Sequence, residues 1–563
     1  MRRLIAIGSL ALAAWGCETA SSAPGQASSE PATPSASASS LEVAAPTASA
    51  SATPAPTTAD CWKTNACPAA KGAAFSSSKK VDVLIAGGTV IDGKSPQPMR
   101  ADVVIDDGKI VHVGSVEGVE ARTRIDAKGK VVTPGFIDTH AHADPALSNT
   151  SYLAMGVTSV CVGQDGRSPS DDRIRYWRNR VGKKRFAVNI VPFVGHGTLR
   201  QAAKIGLSKT PSEKQIARMA RYVGKAMDLG AWGLTTGLEY RPGTFATTKE
   251  LIAIAKPVAE HDGVIMSHMR SEDDDAIEAA LDELLAQGKE GGARVHVSHI
   301  KVVYGKGEKR AEQILAKLDA ARKDGVKVTA DIYPYNASYT TINIVFPDFA
   351  LPPHKYDRVK REKREKLEQF LRDKIEQRGG PDATLFGTDP WRGQTLKEVA
   401  DKASKPFEDV LIDDVGPGSA AAAYFVMDDA LQSRLLLDPH VMVATDGSAT
   451  SRHPRGYGTF AKVIRLYVME RGVLPLGEAI RKMSGLPAET VGLTRIQRGL
   501  LKKDWAADVL VFDPREVKDR ADYENPNNLA EGMSWVFVNG VATIAEGDRK
   551  KRRGGKLILR PKE

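Results

Sequence analysis

PGFIDTHAH, residues Pro134 to His142, closes a short apolar run and decides how the chain reads. Val131 to Ile137 has the composition of a buried strand. His140 and His142 follow it one residue apart, and the period of two in an extended chain turns both imidazoles to one side. Two neutral imidazoles aimed at one point can bind a divalent metal. By itself the pattern is weak, because solvated strands carry it too. Its weight depends on where the other His and Asp residues fall.

Downstream, apolar runs alternate with helical patterns. Val157–Gly163 leads into Gln164 and Asp165, Ala187–Val194 into Gly195-His196-Gly197, and Ala231–Thr236 into Gly237. Gly263–Ser267 ends at His268, Arg294–Ser298 at His299, Val326–Ala330 at Asp331 and Val441–Thr445 at Asp446. Helical patterns fill most gaps: Glu213–Leu229, Thr248–His261, Asp273–Lys289 and Lys309–Asp324. With the first run this makes eight strand–helix units, which predicts an α/β fold of the (β/α)8 TIM-barrel type. Such barrels carry their chemistry at the C-terminal ends of the strands. His140, His142, His268, His299 and Asp446 all fall there, on strands one, five, six and eight.

The chain resembles the amidohydrolase superfamily and, within it, the D-aminoacylase (N-acyl-D-amino-acid deacylase) family. The resemblance runs from about Val81 to Gly547. It rests on PGFIDTHAHAD, VGHGTLR (Val194–Arg200), GAWGLTTGLEYRPG (Gly230–Gly243), SHMRSED (Ser267–Asp273), VSHIK (Val297–Lys301), DIYPY (Asp331–Tyr335), TDGS (Thr445–Ser448) and HPRGYGTF (His453–Phe460). It implies a barrel over 133–498 and a small β-sandwich made of 81–132 and 499–547. It also implies an insertion, 339–439, between strands seven and eight, placed to lid the site.

The same resemblance implies a metal site, most simply one or two Zn²⁺ ions per chain. Many amidohydrolases use a carboxylated Lys after strand four, but GLTTGLEY offers none. D-aminoacylases tend to place a Cys after strand two in a GNCG-like turn. Here the turn is Gly163-Gln164-Asp165-Gly166, so Asp165 takes that position; as a harder ligand it could favour Mn²⁺, Co²⁺ or Fe²⁺. The implied set is His268, His299 and Asp165 at a main site and His140, His142 and Asp446 at a second. Zn²⁺ lowers the pKa of a bound water to about 7, and Asp446 would act as general base. Lys301, Tyr333, Ser338 and Arg455 match the positions that hold the substrate carboxylate. His196, Arg270 and Glu272 lie on the rim without an assigned role, and His453 is expected to orient its loop. The implied reaction is hydrolysis of N-acyl-D-amino acids. A dipeptidase acting on D-residue peptides or wall fragments is the alternative enzyme, and a non-catalytic ligand-binding lipoprotein the alternative of another class. A hydantoinase-like ring opener fits poorly without the strand-four Lys.

The 563 residues, 42% of them apolar, suffice for a large core. The N-terminus reads differently. Met1-Arg2-Arg3 followed by apolar Leu4–Ala14 is too short to span a membrane and suits a signal peptide. Gly16-Cys17 then resembles a bacterial lipoprotein cleavage site, with Cys17 as the lipidated residue and 1–17 as the leader. Residues 18–80 read as an Ala/Ser/Pro/Thr-rich tether. The expected location is the cell envelope, lipid-anchored on the periplasmic side or the cell surface. Cys61 and Cys67 could pair in such an oxidising compartment, and Cys161 reads as core. The formal net charge of +10 and the basic tail 548–563 do not point to nucleic acid in an exported chain, and the tail reads as solvated. The charged helix around His354–Arg378 should pack one stripe through Leu367, Leu371 and Ile375.

Overall fold

The computed structural model describes residues 58–143, 149–168, 186–418 and 420–562. Eight parallel strands form the barrel: β1 (Phe136–Asp138), β2 (Val157–Val162), β3 (Asn189–Pro192, resumed at Val194–Gly195), β4 (Gly233–Gly237), β5 (Val264–His268), β6 (Arg294–Val297), β7 (Val328–Ile332) and β8 (Val441–Val443). Pairing runs in sequence order from β1 to β8. The ring closes just beyond the ends of β1 and β8. There Asp446 N donates to His140 O at 2.8 Å, and His142 N donates to Gly447 O at 2.9 Å. Closure itself therefore sets His140 and His142 beside Asp446.

The run Val131–Ile137 is two strands, not one. Val131–Pro134 pairs antiparallel with Val509–Phe512, whereas β1 pairs parallel with β2. Gly135 makes the junction, where a Cβ would lie 2.2 Å from Thr158 Oγ1. The outer half belongs to a nine-stranded sheet that joins strands from 81–134 and 509–549 around a core including Val83, Ile85, Val103, Val509, Val511 and Phe537. This is the flanking β-sandwich.

Helices cover the barrel as the apolar periodicity requires. Glu213–Asp228 starts with a capping box between Ser212 and Gln215 and buries Ile216, Met219, Val223, Ala226 and Met227. The helix expected from Asp273 begins at Ile277 instead. Residues 272–274 pair with Val303, since Val303 N donates to Glu272 O and Asp274 N to Val303 O. Between β7 and β8 lies a three-stranded sheet (Ser338–Thr341, Thr384–Phe386, Ala421–Tyr424) with the helices Tyr356–Glu362, Arg364–Gln377 and Leu396–Ala403. Its separate core includes Leu367, Leu371 and Ile375. Asp429–Leu437, placed in the insertion by sequence, packs against the barrel helix Gly307–Lys323 and belongs to the barrel.

Both ends of the chain depart from expectation. The tether was expected to reach residue 80, but from Thr58 the chain is folded. Trp62 is buried, Cys61 and Cys67 form a disulfide, and Ala69 and Phe75 bridge to Arg100 and Val116. These residues supply the apolar contacts that the Ala/Ser/Pro/Thr stretch lacks. Cys17 and the rest of residues 1–57 lie outside the described residues. The tail is not solvated throughout. Gly555 and Leu557 bridge to Phe186 and Ile190, Ile558 is buried, and Trp232 Nε1 donates to Ile558 O at 2.8 Å.

Truncation after Arg553 is therefore expected to destabilise the protein by about 3 kcal/mol or more, from the loss of buried Ile558 and its hydrogen bonds. Thermal denaturation of the truncated chain checks this; an unchanged melting temperature would restore the solvated tail.

Candidate active site

Six side chains from five strand ends converge. His140 and His142 follow β1, Asp165 follows β2, His268 ends β5, His299 follows β6 and Asp446 follows β8. Three of them sit in left-handed backbone: Asp165 (φ 53°), His299 (φ 38°) and Asp446 (φ 47°). The first group is His140, His142, Asp165 and Asp446, and the second is Asp165, His268 and His299, each with ligand atoms within 4.8 Å of one another. Asp165 joins the two. Its Oδ1 lies 3.3 Å from His140 Nε2, 3.7 Å from His299 Nε2 and 3.8 Å from His268 Nδ1. Its Oδ2 lies 3.2 Å from His142 Nε2, which is also 3.1 Å from Asp446 Oδ1.

The electrostatics follow from this packing. Burial opposes ionisation of Asp165, but His140, His142 and His299 hold its carboxyl well below the usual carboxylate range. Asp446 is buried too, and Arg455, with the neighbouring imidazoles, holds it far below that range. Burial pushes His140 down, toward the neutral form that ligates metal. Burial also acts on His142, but hydrogen bonds to Asp165 and Asp446 outweigh it and raise the imidazole to about 10. His140 Nε2 and Asp165 Oδ1 are buried without an aligned hydrogen-bond partner. Four imidazoles around two carboxylates, with such atoms unsatisfied, fit a divalent cation.

A supporting layer orients these side chains. His268 Nε2 meets Glu239 Oε2 at 2.9 Å, and His299 Nδ1 meets Glu272 Oε1 at 3.1 Å, the carboxylate–imidazole pairing that orients metal ligands. Asp331 accepts from His299 N (2.5 Å), His296 Nε2 (2.8 Å) and Thr139 Oγ1 (2.5 Å). Asp138 accepts from Thr445 N (3.0 Å) and Thr445 Oγ1 (2.6 Å), just ahead of Asp446. The sequence reading left Glu272 without a role and missed Glu239, although its place in GLEYRPG after strand four was a signal.

Lys301, Tyr333, Ser338 and Arg455 line one narrow recess with His268 and Asp446. A cleft of about 490 Å³ opens beside it past His142, Asp165, Tyr240 and Ser448. Lys301 Nζ is engaged with Glu272 Oε1 at 2.7 Å, and Arg455 Nη1 with Asp446 Oδ2 at 2.8 Å. His196 does not join the site. It is buried against Glu250 at 2.8 Å, which Arg200 also grips. Arg270 binds Glu283 and the carbonyls of Thr244 and Ala246, bracing the loop after β4. His453 Nε2 donates to Ala337 O, so it ties down the loop after β7.

The amidohydrolase family pattern matches residues 123–361. The D-aminoacylase of Alcaligenes xylosoxydans xylosoxydans is 34% identical over 514 residues, spanning 86% of this chain and 99% of that protein. Its N-acyl-D-glutamate deacylase is 33% identical over 505 residues, 84% of this chain and 96% of that one. The crystal structure of N-acyl-D-glutamate deacylase from Bordetella bronchiseptica, complexed with zinc and a phosphonate mimic of the tetrahedral intermediate, superposes with a TM-score of 0.72. It is 30% identical and covers 85% of this chain and 100% of that one. The chain belongs to the D-aminoacylase family of amidohydrolases. In this D-aminoacylase-family protein, the carboxylate of Asp165 is the group within reach of both histidine pairs.

Asp165→Asn keeps the side-chain shape and tolerates left-handed backbone, but removes the charge. It is expected to lower metal affinity on the order of 100-fold with little loss of thermal stability. Metal content after dialysis against a chelator series checks this; parental retention would remove Asp165 from the ligand set.

Proposed function

We propose that the protein is a zinc-dependent deacylase of N-acyl-D-amino acids, releasing a carboxylate and a free D-amino acid. One observation carries this reading: the Asp165-centred imidazole cluster abuts a recess where Asp446 and Arg455 stand together. His268, His299 and Asp165 would hold one ion, and His140, His142 and Asp446 a second. Bound zinc supplies an acidified water and polarises the scissile carbonyl.

The chain's own groups do the rest. Arg455 Nη1 occupies Oδ2 of Asp446 and keeps the carboxylate ionised, which leaves Oδ1, toward the imidazoles, to take a proton. The amine of an amide is a poor leaving group, so that proton must be returned to its nitrogen. Lys301, Tyr333, Ser338 and Arg455 are suited to hold the substrate carboxylate, Arg455 through its planar fork and Lys301 as a point charge. Preference for D substrates is supported by the relatives' activities. The insertion supplies Ser338, Tyr339 and Thr340 to the recess wall, which supports a role as a lid that limits water.

Envelope anchoring is part of the proposal. The basic start, the apolar stretch and Gly16-Cys17 support it, and the Cys61–Cys67 disulfide suits an oxidising compartment.

A panel of N-acetyl-D- and L-amino acids and D-residue dipeptides, assayed with metal restored after chelation, tests the activity. Turnover of the N-acyl-D set is expected, and turnover of dipeptides alone would replace this reading. Asp446→Asn should retain the ion held by His268, His299 and Asp165 and lose roughly 100- to 10,000-fold in kcat; the parental rate would refute the base. Cys17→Ser should move the protein from the membrane to the soluble fraction on cell fractionation. Retention in the membrane would refute the lipid anchor.

A further inference from the structure

Three members of the cluster are steadied by a side chain outside it: His268 by Glu239, His299 by Glu272 and Asp446 by Arg455. Asp165 has no such partner. Among the described residues its carboxylate meets only imidazoles. Its place is therefore set through the backbone, which is left-handed there and persists only where the surroundings hold it.

The hold comes from the next two strand ends. From β4, Thr235 Oγ1 donates to Gly163 O at 2.5 Å. Gly237 lies against the Asp165 backbone, where a Cβ would sit 2.8 Å from the Asp165 carbonyl carbon, so only glycine allows the approach. From the end of β3, Gly195 packs as closely, since its Cβ would lie 2.6 Å from Arg167 N. Thr198 then closes the grip from helix His196–Ala202, which follows β3 directly. Its N donates to Gly166 O at 3.1 Å. Its Oγ1 accepts from Ser168 N and donates to Ser168 O, both at 3.0 Å. Gly195 N donates to Ser168 Oγ at 2.8 Å. One residue thus binds the chain beyond Asp165 at three points.

The helix that carries Thr198 is itself held from behind. His196 and Arg200, both fully buried, meet the fully buried Glu250. Arg200 also donates to Gly206 O and Ser208 O. His196 stands off the metal cluster, yet it belongs to what keeps Asp165 in place.

We propose that Thr198 is a positioning residue for the metal centre: it holds the turn on which Asp165 stands, and so does for that carboxylate what Glu239 and Glu272 do for the histidines. The proposal rests on Asp165 being a ligand and is independent of which amide is cleaved.

The test is a double-mutant cycle on the full chain, read as affinity of the metal-free protein for its first Zn²⁺ in competition with a chromophoric chelator. Thr198→Val keeps the branched shape and the main-chain bond but removes both hydroxyl bonds. It should weaken binding roughly 10-fold, and Thr198→Ser should restore it. On the Asp165→Asn background the same Val substitution should cost nothing further, because the group it positions is gone. A general loosening of the fold would weaken both backgrounds alike. Parental affinity in Thr198→Val, or the full loss repeated in Asp165→Asn, overturns the proposal. If Thr198→Val does not fold, Ser168→Ala takes its place in the cycle with the same two readings. Parental affinity in Asp165→Asn itself removes the ligand on which the proposal rests, and so is told apart from failure of the Thr198 grip alone.

Discussion

Everything at the mouth of this barrel depends on one carboxylate standing among imidazoles that arrive from three different strand ends. Asp165 cannot be neutralised cheaply there, and four histidines cannot all be protonated around it. A divalent cation resolves both demands. The barrel is built to hold that arrangement. Its closure hydrogen bond runs from Asp446 to His140, two members of the cluster, so sealing the sheet and assembling the site are one event. Below them Asp138 and Asp331, both fully buried, tie the ends of β1, β6, β7 and β8 together through backbone and hydroxyl donors.

Much of this was legible in the sequence because it is local. A period of two fixes the direction of His140 and His142, and each later ligand follows an apolar run by one or two residues. Eight such runs gave the barrel. What escaped was non-local. The run Val131–Ile137 contains the break Pro134-Gly135, but which sheet each half joins depends on distant strands, with Gly135 passing close to Thr158 on the neighbouring β2. Nothing in the basic tail signals that Ile558 meets Trp232. Glu239 lies in GLEYRPG after β4, but its bond to His268 spans neighbouring strands and leaves no spacing signature.

The insertion divides the labour of the site. The barrel carries the six clustered side chains, all just beyond or at strand ends. The wall opposite is a small subdomain with its own core, so its side chains can change without disturbing the metal cluster. A scaffold of this kind allows relatives to share one chemistry and differ in what they accept.

Positive φ at residues 165, 299 and 446 has a consequence for natural variation. Asp, Asn and His enter that region of backbone more readily than most side chains with a Cβ, and branched ones scarcely at all. Coordination chemistry and chain curvature therefore act as two successive filters on the same three positions. A newcomer at residue 165 must offer a donor atom and also bend the way aspartate does, which narrows the evolutionary alternatives more than metal affinity alone would.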